Sequence, residues 1–163
     1  MKRQVVKVLA CVALLIFMVT PAQSKEHAPD AKARCIVCGM FVAKYPMWLA
    51  SVGFDTGEQI YFDGVKDMMA FIFAPQDFGK TKEDKIIKVE VTDYYKQKWI
   101  DGKTAFYVIG SDVLGPMGHE LIPFASRPAA ENFLKDHHGS EIVSFSSITP
   151  KRISSMRMGH MMK

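Results

Sequence analysis

Cysteine is scarce in this chain: three residues of 163. Cys11 lies in the N-terminal apolar run, so Cys35 and Cys38 are the pair left to explain. With no second cysteine pair, a four-ligand structural zinc site is under-provided, and His137 and His138 add only adjacent imidazoles. Residue 39 is glycine where a c-type haem attachment needs histidine. No apolar run reaches the roughly 20 residues that a membrane-spanning helix needs. The sequence shows no nucleophile–base pair, metal-water site or cofactor fingerprint, so it reads as a protein without catalytic turnover.

Acidic residues are missing from the first 24 positions, and that absence is part of a pattern. Lys2, Arg3 and Lys7 form a basic start, Val8 to Val19 is apolar, and Ala22-Gln23-Ser24 supplies small residues for cleavage. Residues 1–24 therefore read as a secretory signal peptide, with an uncleaved anchor as the alternative. Val8-Leu9-Ala10-Cys11 partly matches a lipoprotein box, but the apolar run continues past Cys11 where such a box should end it. A lipoprotein or membrane-associated form is thus the lesser alternative. Without the signal, Lys plus Arg falls from 21 to 18 against 17 acidic residues, and the formal charge drops from +4 to about +1. The basicity belongs to targeting and gives no case for nucleic acid.

Export places Cys35 and Cys38 in oxidising surroundings. A C-x-x-C disulfide closes too short a loop to stabilise a fold much, so the pair reads as chemical rather than structural. A thioredoxin-like site would start a helix at the motif, whereas Met40-Phe41-Val42 is more strand-like.

Residues 25–33 form a polar leader. A first half, 34–97, carries a strand over Trp48–Phe54, a turn at Asp55-Thr56-Gly57 and a strand over Gln59–Phe62. Asp63 then caps a helix from about Gly64 to Ala74, and a strand follows over Lys85–Thr92. A second half, 98–150, repeats the order: strand Thr104–Gly110, turn Gly115–Gly118, strand Glu120–Phe124, a helix capped by Ser126 and ended by Gly139, and strand Glu141–Phe145. The expectation is an α+β fold of two similar ββαβ halves, with antiparallel sheets and one helix per half. Residues 151–163, rich in Met and His without an apolar face, read as a disordered tail.

Soft ligands are plentiful. Met68 and Met69 have helical core spacing, but Met40 follows Cys38 by two residues and Met117 stands in a Gly-Pro-Met-Gly turn near His119. Thiolate and thioether together select Cu(I) over hard cations. The tail adds Met156, Met158, His160, Met161 and Met162 as secondary soft donors. His27, His137 and His138 read as surface residues.

Cys38-Gly39-Met40, Phe62-Asp63 and above all YVIGSDVLGPMGHELIPF over residues 107–124 resemble the nitrous oxide reductase accessory protein family, NosL, across roughly residues 34–148. The resemblance implies a periplasmic Cu(I) metallochaperone of duplicated ββαβ architecture. It would supply the copper–sulfide centre of nitrous oxide reductase, with the apo-enzyme and copper-supply proteins of the cell envelope as partners. It implies Cys38 and Met117 as metal ligands, one from each half, with Met40 and His119 as neighbours and Cys35 as an extra ligand or redox partner. The alternatives are an exported thiol–disulfide oxidoreductase using Cys35 and Cys38, and a general copper storage or resistance protein relying on the tail.

Overall fold

The computed structural model describes residues 28–161. The expected signal peptide and Met162 lie outside the described residues. The motif segment comes first. Arg34 and Phe41 form an antiparallel bridge, and between them the Gly39 amide donates to the Cys35 carbonyl at 2.8 Å. Gly39 has φ +79°, a left-handed conformation that glycine adopts without penalty, so the C-x-x-C-G spacing closes a tight turn. Two short 3₁₀ turns, Val42–Lys44 and Pro46–Trp48, lead into the first sheet.

That sheet contains β1 (Ala50–Phe54), β2 (Gln59–Phe62), β3 (Ile86–Thr92) and β4 (Trp99–Asp101) in the order β2-β1-β3-β4, all antiparallel. Helix α1 (Val65–Phe73) crosses between β2 and β3 and buries Val65, Met68, Met69 and Phe71. β5 (Phe106–Ile109) follows, then β6 (Leu114–Gly115) and β7 (Gly118–His119), a two-stranded hairpin whose turn is Pro116-Met117. β8 (Ile122–Phe124), helix α2 (Arg127–Asp136) and β9 (Glu141–Ser144) complete a second antiparallel sheet of order β8-β5-β9. β1 in the first sheet and β5 in the second are each flanked by the strand before and the strand after the helix, so the two ββαβ units share one topology.

The main core runs through both units, including Val52, Phe62, Met68, Tyr107 and Leu121, while Val108, Ile122, Phe124 and Phe133 form a smaller cluster under α2. Each such side chain contributes roughly 1.5–3 kcal/mol when fully buried.

Several local expectations change. Asp63 does not cap α1: Gly64 holds that position, with no side-chain cap there, and the Asp63 carboxylate points to Cys38. Ser126 is the N-cap residue of α2, yet its hydroxyl makes no cap bond. At the other end His138, not Gly139, takes the left-handed conformation (φ +52°), while the Gly139 amide bonds back to the Leu134 carbonyl at 2.8 Å. The tail is not disordered over its described part. Pro150–Met161 forms helix α3, which packs on α1 and buries Ile153. Its start is held by Thr149, whose hydroxyl accepts the Arg152 amide, and by an Arg152–Glu141 ion pair.

Candidate metal centre

The C-x-x-C turn lies against the first turn of α1. Asp63 lies just before the helix and Asp67 in its first turn, and both carboxylates face the cysteines. Cys38 Sγ donates to Asp63 Oδ1 at 3.1 Å, and Cys35 Sγ donates to Asp67 Oδ2 at 3.6 Å. The donor atoms of Cys35, Cys38, Asp63 and Asp67 all lie within 4.8 Å of one another. Cys35, Asp63 and Asp67 are buried, Cys38 is half-buried, and both cysteines are free thiols. The hydrogen bond to Cys35 is the largest influence holding the Cys38 thiol far above its ordinary pKa. Burial and the two carboxylates push the same way. Cys38 is therefore a protonated thiol at neutral pH. Among the described residues, the buried Asp63 Oδ2 finds no hydrogen-bond partner.

Above this cluster opens a cavity of about 560 Å³, whose wall includes Cys38, Lys66, Asp67, Met117, Ile153 and Met158. Lys66 is buried, and its Nζ donates to the Met117 carbonyl at 2.6 Å and the His119 carbonyl at 2.8 Å. Glu120 is also buried. Its Oε1 accepts the Lys66 amide at 2.6 Å and the Leu121 amide at 2.9 Å, so a carboxylate of the second unit supplies the missing cap of α1. Burial raises the Glu120 carboxyl to about 8, against the opposing pull of those amides and of Lys66.

The structure thus brings Cys38 and Met117, from different units, to one cavity, and adds Met158 from α3. Cys35 lies beside Cys38. Met40 is half-buried and off the cavity wall; its carbonyl accepts the Cys35 amide. The His119 side chain is exposed and also off the wall. Met156 packs on the core, and the backbone of His160 and Met161 continues α3. Sequence reasoning missed Asp67, Lys66 and Glu120 and gave Asp63 a different task. No spacing rule pointed to the carboxylates, since Asp63 stands outside the helix that carries Asp67.

Fold and site together define a class: an α+β protein of paired ββαβ units with a thiol–carboxylate cluster beneath a cavity at their seam. The chain belongs to the NosL family, whose sequence pattern matches residues 26–153. It is 26% identical over 175 residues to the copper-binding lipoprotein NosL of Stutzerimonas stutzeri, covering 91% of this chain and 84% of that one. The crystal structure of the copper chaperone NosL from Shewanella denitrificans shares the fold, with a TM-score of 0.64 at 23% identity over 77% of this chain and 98% of that one.

Proposed function

We propose that this protein is an exported metallochaperone, resident in the periplasm, that binds Cu(I) through Cys38 and Met117 and delivers it for maturation of nitrous oxide reductase. The observation that carries the reading is that these two sulfur side chains, 79 positions apart in the sequence, line the same cavity. A thiolate and a thioether favour Cu(I) over hard or borderline cations. The relatives described as copper-binding and as a copper chaperone point to the same cargo. Copper-supply proteins of the envelope and the apo-enzyme are the partners this role requires.

The chemistry follows from the thiol. Cu(I) displaces the Cys38 proton, so uptake strengthens as pH rises. The cavity leaves one side of the bound ion facing solvent. A donor from an acceptor protein enters there before Cys38 and Met117 let go, and copper passes without being freed. Catalysis of thiol–disulfide exchange is less well supported: it calls for an accessible cysteine of lowered pKa. Here Cys35 is 1% exposed and the Cys38 thiol is pushed up.

Anaerobic Cu(I) titration of the reduced protein against a chromophoric chelator tests the site. One equivalent should bind tightly, and both Cys38→Ser and Met117→Leu should lose at least about 100-fold in affinity, the upper part of the range seen when a metal ligand's surroundings are disrupted. Binding indifferent to Met117 would overturn the ligand assignment. Copper transfer to apo nitrous oxide reductase, measured as recovery of its copper–sulfide centre, tests the acceptor.

A further inference from the structure

We infer that the rim of the cavity is a docking face for an acidic protein surface, whose own apolar side chains meet Ile36, Leu114 and Met158. The inference deepens the chaperone reading and rests on it for the purpose of the face.

Four elements close on the cavity: the C-x-x-C turn with its 3₁₀ extension (34–44), α1, the β6–β7 hairpin and α3. Their exposed side-chain charges have one sign. Arg34, Lys44, Lys151 and Arg157 are exposed, while the one acidic residue in the four elements, Asp67, is buried. Beyond residue 24 the chain is nearly balanced between basic and acidic residues. A one-signed rim is therefore a local arrangement and does not follow from net charge.

The protein itself does little to neutralise these cations. Arg34 Nη1 donates to the Gly39 carbonyl at 2.8 Å, and its guanidinium lies 3.8 Å from the centroid of the Phe41 ring. Lys44 Nζ lies 5.2 Å from the same ring, so Phe41 gathers two cations on one turn. Neither contact cancels a charge. Arg157 has Asp67 at 4.0 Å, and among the described residues Lys44 and Lys151 form no ion pair.

Apolar exposure falls on the same elements. Ile36 between the two cysteines, Leu114 on the hairpin and Met158 on α3 are 43%, 57% and 48% exposed. Apolar side chains grouped within a charged rim have the anatomy of a protein interface. The charge then names the partner: acidic groups speed the encounter, and basic surfaces are turned away. A lipid headgroup layer can also be anionic, but it would cover the mouth through which the ion leaves. A protein surface brings the incoming donor with it.

The test reads docking without copper. Two labelled peptides share a Met- and His-bearing core; one is flanked by glutamates, the other by lysines. Fluorescence anisotropy with the reduced, metal-free protein should show the acidic peptide binding at least about tenfold tighter at low ionic strength. Salt at about 0.5 M should shrink the difference, because screening then acts within a few ångströms. Lys44→Glu with Lys151→Glu should abolish the preference. Lys103→Glu with Lys135→Glu changes net charge equally on exposed residues outside the four elements and should keep it. Equal affinity for the two peptides, or a preference lost equally with either pair of changes, would overturn the inference. So would sedimentation with phosphatidylglycerol vesicles that Lys44→Glu and Lys151→Glu remove, since the rim would then serve a lipid surface. Cu(I) titration is a separate readout. Copper binding with no peptide preference sinks the docking face alone, and a peptide preference without copper binding sinks the chaperone reading alone.

Discussion

The ammonium of Lys66, on the helix of the first unit, donates to the backbone carbonyl of Met117, on the hairpin of the second, at 2.6 Å. It also holds the His119 carbonyl, so it grips the turn that presents the thioether and the β7 strand that follows it. Hydrogen bonds from a charged donor contribute about 1.5–3 kcal/mol each. Lys66→Met keeps the buried stem and loses both bonds. Cu(I) affinity should fall at least about tenfold, a loss of about 1.4 kcal/mol or more, with Lys66→Arg recovering part of it. Competition titration beside thermal unfolding separates lost positioning from lost fold.

Glu120 predicts an unusual pH dependence. Its folded pKa of about 8 stands above the ordinary carboxyl value of 4.5. The folded state therefore holds a proton that the unfolded chain gives up, and this group's contribution is present below about pH 4.5 and lost as pH rises toward 8. Wild-type stability should decline across that window by on the order of 2–4 kcal/mol. Glu120→Gln keeps the acceptor oxygen for Lys66 and Leu121 and should flatten the decline. Urea unfolding at several pH values checks it.

Gly64 is set by proximity rather than by backbone angle. A Cβ there would lie 2.2 Å from Glu120 Oε2. Gly64→Ala should push the Glu120 carboxyl off the Lys66 amide and cost about 1–3 kcal/mol, read as a lower denaturation midpoint. Gly64→Ala combined with Glu120→Ala should cost much less than the sum of the two single losses.

Helix α3 walls one side of the cavity through Ile153 and Met158. Removing residues after Pro150 takes away that wall while leaving Cys38 and Met117. Cu(I) release to a chelator should quicken several-fold in stopped-flow measurements. Ile153→Ala, which keeps the helix backbone, should cost about 2–5 kcal/mol in stability.

Because the Cys38 thiol is held far above its ordinary range, each Cu(I) bound should release one proton. Affinity should then rise about tenfold per pH unit through neutrality. Chelator competition at a series of pH values gives the slope.

The first sheet and α1 were legible because Ala50, Val52 and Phe54 alternate and Val65, Met68 and Met69 recur at helical spacing. Trp99–Asp101 was not, since three residues carry no period and the strand exists by pairing with β3. Helix α3 was missed for a related reason. Among the described side chains its buried surface is little more than Ile153 and part of Met156, so the partner α1 supplies what the sequence pattern does not. At the site, the candidate sulfur ligands announce themselves by type, while carboxylates do not. Asp63 obeys the rule for a helix cap in sequence, and only the fold turns it toward Cys38 and hands the cap to Glu120.

Glu120 has a counterpart facing the other way. Asp93, buried at the end of the first sheet, accepts the Ala125 amide at 2.7 Å, just before α2 begins. Each unit therefore lends a carboxylate to the backbone at the entry of the other's helix. Topologically the units are repeats, but they are not interchangeable parts. Either one made alone would expose donors its sibling normally satisfies, and a tandem copy of the first unit would lack the acid that closes its own helix. Duplication here has become mutual dependence, and the chain should unfold in a single transition.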